Sequence, residues 1–183
     1  MATRTLHMHN AIRGLSLLEV IAALSVAALL LTVGVPTFHG IINNSRRTAT
    51  INDLVATVQI ARTTAIRRNR QLVICPDDGR PRCDGSADWS QGWLVFVNED
   101  FDRPPSLDDN ETVIHRHGPL APLRVYSNRS YFAFHRIGLR STNGTLTLCD
   151  NRGSTQARAV IISYTGRPRV SARKADGSPL ECL

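Results

Sequence analysis

The sequence is poor in lysine and in aromatic residues, and it lacks the motifs of the common enzyme classes. Lys174 is its only lysine, and aromatic residues make up 5% of the chain. The six histidines are scattered, and no zinc-protease signature, nucleophile elbow or phosphate loop occurs. These absences argue against an enzyme and against a bound metal or cofactor. We therefore expect a binding protein that uses neither.

Arginine supplies almost all of the positive charge. The formal net charge is +7, and residues 112–183 hold ten arginines and one lysine against three acidic residues. Arginine can bind phosphate through two parallel hydrogen bonds, which suits a polyanion such as nucleic acid or anionic lipid. A GC-rich genome would also favour arginine codons, and composition does not separate the two explanations. No run of aromatic residues interleaves these arginines, so a base-stacking platform for single strands is not indicated.

The four cysteines indicate disulfide bonds. They are Cys75, Cys83, Cys149 and Cys182, and their spacing fits neither a CxxC pair nor a set of metal ligands. An even number of cysteines behind an export segment is typical of an oxidising compartment. Three pairings are possible. We favour Cys75 with Cys83, because this pair brackets a short loop of Asp, Gly and Pro residues, which leaves Cys149 with Cys182.

Residues 15–35 form an apolar run of about the 20 residues that a membrane-spanning helix needs. A short polar leader with Arg4 and Arg13 precedes the run, as on a positively charged cytoplasmic flank. Glu19 interrupts it; an intramembrane carboxylate suggests a function, although a charge this close to the interface could also reach water. We expect a leader at 1–14, a transmembrane or filament helix at 15–36 that Pro36 kinks or ends, and an extracytoplasmic head at 37–183.

Residues 13–20, RGLSLLEV, resemble the class III signal of type IV prepilins and pseudopilins. The resemblance implies that a prepilin peptidase cuts between Gly14 and Leu15 and that the new amino terminus is methylated. It also implies that Glu19 pairs with the N-terminal amine of a neighbouring subunit during filament assembly. Leu15 stands where these proteins usually have Phe.

Residues 43–70 have the periodicity of an amphipathic helix. Its apolar stripe consists of Ile51, Leu54, Val55, Val58, Ala61 and Ala65. The arginines of the segment lie mostly off that stripe, and we expect them on a solvated face. They are Arg46, Arg47, Arg62, Arg67, Arg68 and Arg70.

Seven segments after residue 70 have the composition of short β-strands. They are residues 71–75, 92–98, 111–115, 123–127, 131–135, 145–149 and 159–165. Asn143 and Gly144 predict a two-residue hairpin turn, because both positions of such a turn need a positive φ. The sequence therefore predicts an α+β fold, with a long N-terminal helix, transmembrane and then amphipathic, packed on an antiparallel β-sheet head.

Three motifs of the head resemble one known family. They are CPDDG at 75–79 leading to Cys83, WSQGWLVF at 89–96, and GRPR at 166–169. Together with the N-terminal signal they are similar to the FimT/GspH family of minor pilins and pseudopilins. The resemblance implies a type IV pilin-like fold whose sheets pack on the C-terminal half of the long helix. We expect Trp89 and Trp93 to pack in its core.

The family contains two kinds of protein. FimT-type members are minor pilins that bind DNA during natural transformation, and GspH-type members are minor pseudopilins of type II secretion. In the DNA-binding branch a GRxR motif contacts phosphates, and Gly166, Arg167 and Arg169 match it here. Pro168 favours an extended backbone, so the two arginines should project on one side about 6.6 Å apart. Gly166 should let a phosphate approach the backbone.

Other arginines could extend this patch. Arg152, in a turn, and Arg158, before the last strand, are candidates, and Arg140 and Arg173 with Lys174 are weaker ones. We expect salt-sensitive binding to the phosphates of duplex DNA without sequence preference.

The expected partners are DNA, other pilins, the prepilin peptidase and the inner membrane. The chain should cross a bacterial inner membrane once, with a periplasmic head, and reach the pilus or cell surface after assembly. A pseudopilin of type II secretion or a structural pilus-tip subunit is the main alternative. An anchored periplasmic enzyme or carrier is another.

Two further features are expected to be incidental. An acidic stretch at 98–111 offers oxygen ligands to Ca²⁺ but lacks EF-hand spacing, and we expect a solvated loop. His115 and His117 alternate on a strand without a third ligand of recognisable spacing, and we expect them at the surface.

Overall fold

The computed structural model describes residues 16–83, 85, 87–135 and 140–182. The chain divides into two compact units, Met1–Ile42 and Asn43–Leu183. Gly14 and Leu15, the expected cleavage site, lie outside the described residues.

One helix, α1 (Leu17–Arg68), begins in the first unit and continues into the second. Ser16 caps its start, because its Oγ accepts a hydrogen bond from the Glu19 amide at 3.2 Å. The helix passes through Pro36 without ending there. The apolar side chains that the structure describes in the first unit are exposed, for example Leu17 at 78% and Leu30 at 69%. In the described part of the chain, no helix has the length and apolar character needed to span a bilayer.

The helix ends because the backbone turns left-handed after Arg68. Asn69 has a φ of 53°, and the Arg70 amide donates a hydrogen bond to the carbonyl oxygen of Ala65 at 3.2 Å. A left-handed residue with this backward hydrogen bond is a common C-terminal cap.

The second unit contains two antiparallel sheets of four strands each. The strands of the first sheet are β1 (Gln71–Pro76), β2 (Trp93–Asn98), β3 (Val113–His117) and β5 (Phe132–Phe134), in the order β3-β2-β1-β5. Those of the second are β4 (Arg124–Ser127), β6 (Gly144–Cys149), β7 (Arg158–Ile162) and β8 (Pro168–Ser171), in the order β4-β6-β7-β8. A 3₁₀ turn, Ser154–Gln156, precedes β7.

The predicted helix stripe packs against both sheets. Five of its six residues are buried, and Val55 is half-buried against the same core. Trp89 and Trp93 are fully buried there, as expected, and Trp93 Nε1 donates to Thr57 Oγ1 on α1 at 3.1 Å. Every buried hydrophobic residue of the described chain lies in the second unit. At about 1.5–3 kcal/mol for each large apolar side chain buried, this unit has its own stabilising core.

Both disulfides also lie in the second unit. Cys75 bonds Cys83 across the end of β1, and Cys149 bonds Cys182, which ties the C-terminal segment to β6. This is the pairing favoured from the sequence.

The predicted hairpin at Asn143 and Gly144 is wrong. The strands on either side, β5 and β6, belong to different sheets, and neither residue has a positive φ. Gly144 is required for another reason: a Cβ on it would lie 2.7 Å from Asn128 Oδ1 and 2.8 Å from Arg129 Cγ. The strand predicted at 159–165 ends at Ile162, and the chain turns there into β8, which the strand pattern did not indicate.

Candidate nucleic-acid interface

The GRPR motif lies in the hairpin that joins β7 to β8. The Ser163 amide donates to the carbonyl oxygen of Arg167 at 3.1 Å, and the Gly166 amide donates to that of Ser163 at 2.8 Å. Gly166 has a φ of 71°. A three-residue loop that ends on a left-handed glycine is a common hairpin connection. We call residues 163–169 the basic hairpin. Its last two residues begin β8, the edge strand of the second sheet.

Gly166 faces the interior of the head. It is buried, and a Cβ on it would lie 3.0 Å from Ser141 Oγ, 3.1 Å from Phe134 Cδ1 and 3.2 Å from Arg62 Cδ. The missing side chain therefore makes room for these neighbours and for the positive φ, and not for an approaching phosphate as expected. The glycine sets the position of the arginine that follows it.

Arg167 and Arg169 are both exposed. They alternate with Pro168 along an extended segment, and Arg169 pairs with Ile161 of β7, so their side chains project to the same side about two strand rises apart. Among the described residues, neither guanidinium group forms an ion pair. Their charge is therefore available to an anionic partner.

Two further arginines contact the basic hairpin. Arg62 of α1 donates from Nε to the carbonyl oxygen of Thr165 at 2.9 Å. The Cζ of Arg140 lies 5.5 Å from the centre of the Tyr164 ring. The expectation of a solvated face is wrong for Arg62. Its position next to Ala61, at the border of the buried stripe, is the signal that could have indicated this.

Arg158 does not join the basic hairpin as expected. It pairs with the core residue Leu148, whereas Arg169 pairs with Ile161. Because successive residues of a strand point to opposite faces, Arg158 and Ile161 lie on opposite faces of the sheet. Arg158 is therefore on the opposite face from Arg169.

Arg152 lies in a separate cluster, beside Asn44 and Arg47 of α1. Its Nε donates to Asp150 Oδ1 at 3.0 Å, and Arg47 approaches the same carboxylate at 3.7 Å. The hydrogen bonds from Arg152 hold the pKa of Asp150 below its usual value. Arg47 is buried and is therefore not on a solvated face as expected. Its burial, followed by the charges of Arg158 and Arg152, lowers the pKa of Arg47. Arg47 and Arg62 are about 22 Å apart along the helix at 1.5 Å per residue.

Comparison with known proteins identifies the fold and the family. Residues 50–166 match the family described as type II transport protein GspH. The chain belongs to this family. It is also similar to two crystal structures of the type IV minor pilin FimU from Pseudomonas aeruginosa strain PAO1, each with a TM-score of 0.54. The structure in space group P65 is 19% identical over 74% of this chain and 99% of FimU.

The structure in space group P21 is 21% identical over 77% of this chain and 97% of FimU. At these identities the likeness establishes the fold, and it confirms the expected α+β, pilin-like architecture. Among curated proteins, no sequence matches the chain. Both findings agree with the resemblance of the chain to the FimT/GspH family of minor pilins and pseudopilins.

In this GspH-family chain, Glu19 lies exposed in the first turn of α1. A carboxylate there interacts favourably with the positive end of the helix dipole. This local role is compatible with the filament role expected from the sequence, which stays a prediction.

The acidic stretch uses its carboxylates to hold its own backbone. The two carboxylate oxygens of Glu111 accept hydrogen bonds from the amides of Glu99 and Asp108 at 2.8 and 3.3 Å, and burial raises the pKa of Glu111. Within the described ranges, no group of three His, Cys, Asp or Glu residues could hold a metal. His117 is half-buried rather than freely exposed, because it stacks on Trp93 with ring centres 4.1 Å apart.

Proposed function

We propose that this GspH-family chain is a minor type IV pilin whose basic hairpin binds the backbone phosphates of duplex DNA during DNA uptake. The observation that carries the proposal is the pair Arg167 and Arg169. Both are exposed on an edge hairpin, and neither meets a carboxylate in the described part of the chain. Their separation of about 6.6 Å at two strand rises is close to the step between neighbouring phosphates.

Binding of this kind depends on the charge of the DNA backbone and not on the base sequence. Contacts to phosphate fix a protein on the duplex but carry no base information. Each phosphate that is neutralised releases counterions, so the affinity should fall steeply as salt rises. The excess of arginine over acid in residues 112–183 supports such a partner.

Delivery of the head requires the N-terminal segment. We propose cleavage between Gly14 and Leu15, methylation of the new terminus, and a helix at 15–36 that anchors the chain in the inner membrane before assembly. The head would then be periplasmic, and later part of a pilus. The exposed apolar side chains of α1 in the first unit support a helix that other pilins or lipid cover, and Glu19 would pair with a neighbour's amine. Mass spectrometry of the mature chain should find Leu15 at its N-terminus; an intact leader in cells with the peptidase would refute this step.

DNA binding can be tested on residues 43–183, which include the core and both disulfides. Fluorescence anisotropy should show binding to unrelated duplexes with similar affinity. The double variant Arg167→Ala and Arg169→Ala should bind more weakly. Its slope of log affinity against log salt concentration should be less steep by about 2. The matched control is Arg82→Ala with Arg116→Ala, two exposed arginines near and on the first sheet. Equal binding by the two double variants would refute the assignment.

A second candidate is a minor pseudopilin of type II secretion or a structural tip subunit. The family match, described as type II transport protein GspH, favours it. In that case residues 43–183 should bind the heads of other minor pilins or pseudopilins and ignore duplex DNA at moderate salt.

A further inference from the structure

We propose that Arg140 is a third phosphate-binding residue of the interface and that Tyr164 orients it. This inference rests on the proposed function. It adds a residue from a distant part of the sequence, 26 positions before Gly166, to the two arginines of the motif.

The geometry ties Arg140 to the tip of the basic hairpin. Its guanidinium lies over the Tyr164 ring, with Cζ 5.5 Å from the ring centre, within the range of a cation–π contact. The next residue, Ser141, donates from its amide to the carbonyl oxygen of Tyr164 at 2.9 Å. A backbone hydrogen bond and a ring contact therefore hold the two segments together.

The charge of Arg140 is not neutralised by an ion pair in the ranges that the structure describes. Arg140 borders a polar cleft of about 220 Å³ that Arg103 also lines. Asp102 lies on the same cleft, but Ser106 and Asn98 donate hydrogen bonds to its carboxylate. That carboxylate is engaged within its own loop.

Contact with the ring prepares the guanidinium for phosphate. A guanidinium held over an aromatic ring keeps N–H groups free at its edge, and phosphate is bound through such an edge. Fixing the side chain before binding also reduces the entropy lost when the complex forms. Tyr164 is 56% exposed, so its contact with Arg140 lies at the surface, where a duplex can reach it. The proposed interface then includes Arg140 beside Tyr164 together with Arg167 and Arg169.

The test uses residues 43–183 and a duplex of arbitrary sequence, with folding checked by circular dichroism. Arg140→Ala should weaken binding and make the salt dependence less steep by about 1. Arg116→Ala removes the same charge at the opposite edge of the first sheet and should leave the slope unchanged. Tyr164→Ala should weaken binding without any change of charge, and Tyr164→Phe should bind like the parent.

Combining Arg140→Ala with Tyr164→Ala also tests how Tyr164 contributes to binding. If Tyr164 acts by orienting Arg140, then Tyr164→Ala should have little effect once Arg140 is Ala, because coupled residues are not additive. The inference is overturned if Arg140→Ala and Arg116→Ala give the same slope, or if the effects of Arg140→Ala and Tyr164→Ala simply add. Loss of Arg167 and Arg169 would still weaken binding in that case. A parent that does not bind DNA would overturn the proposed function and this inference together.

Discussion

Arg62 Nε donates a hydrogen bond to the carbonyl oxygen of Thr165 at 2.9 Å, across a sequence separation of 103 residues. The contact joins α1 to the tip of the basic hairpin. A Cβ placed on Gly166 would lie 3.2 Å from the Cδ of the same arginine, so the glycine allows this close approach. The helix thus positions the arginines that we propose to bind DNA.

Arg62→Ala should loosen the hairpin. Loss of the hydrogen bond should lower the free energy of unfolding by about 1 kcal/mol and speed hydrogen exchange of the Gly166 amide. Arg67→Ala, an exposed arginine of the same helix, removes the same charge without touching the hairpin. DNA affinity should fall more for Arg62→Ala than for this control. Identical exchange rates and affinities in the two variants would argue against a positioning role.

Gly166→Ala should be more harmful than Gly177→Ala. Both glycines have a positive φ, 71° and 88°, but a Cβ on Gly177 would meet nothing within 4 Å. Backbone strain alone should cost Gly177→Ala about 1–2 kcal/mol. Gly166→Ala should cost about 2–4 kcal/mol, because crowding against Phe134 and Ser141 adds to the strain. Equal urea midpoints for the two variants would contradict this packing.

The helix stripe and seven strands could be predicted, because their spacing in the sequence matches the period of each element. The basic hairpin could not be predicted in the same way. Thr165 and Gly166 contain its turn signal, yet Asn143 and Gly144 match the common two-residue turn better. A glycine can be required for a positive φ, as at Gly166, or for close packing alone, as at Gly144. Only the residues that surround it in the folded chain show which of the two applies.

Which arginines lie at the interface is also decided by contacts between segments that are far apart in the sequence. Arg62 reaches the hairpin from α1 and was expected on a solvated face. Arg140 reaches it from the segment before β6 and was only a weaker candidate, because no local pattern links it to the motif. Arg158 was a candidate because it precedes Gly166 of the motif by only eight residues. Strand alternation instead places its side chain on the helix-facing side of the sheet, toward Arg47.

Asp150 should make the head sensitive to acid. Its folded-state pKa is held below the usual value by Arg152 and Arg47. Such a carboxylate stabilises the fold above its unfolded pKa of about 4, and this contribution is lost as pH falls through the folded-state pKa. Asp150→Asn should therefore lower the free energy of unfolding by about 1.5–3 kcal/mol at pH 7.

The difference between parent and Asp150→Asn should shrink in acid, as urea unfolding at a series of pH values would measure. Asp109→Asn, at an exposed carboxylate, is the control and should match the parent throughout. A constant difference at every pH would mean that the Asp150 charge does not contribute.

The two disulfides should contribute unequally. They close loops with sequence separations of 8 and 33 residues, and the entropy that a cross-link removes from the unfolded chain grows with loop length. Replacing Cys149 and Cys182 by Ser should cost about 3–4 kcal/mol, against about 2–3 kcal/mol for Cys75 and Cys83. Thermal unfolding of the two double variants would compare them, and a reversed order would contradict the loop-length argument.

The most direct test of the central claim is a map of the DNA contact. Residues 43–183 labelled with ¹⁵N can be titrated with a short duplex while amide resonances are followed by NMR. We predict that the largest shifts occur in the basic hairpin and at Ser141, and that they vanish at high salt. Shifts confined to the Arg152 turn or to the first sheet, with the hairpin unmoved, would contradict the account.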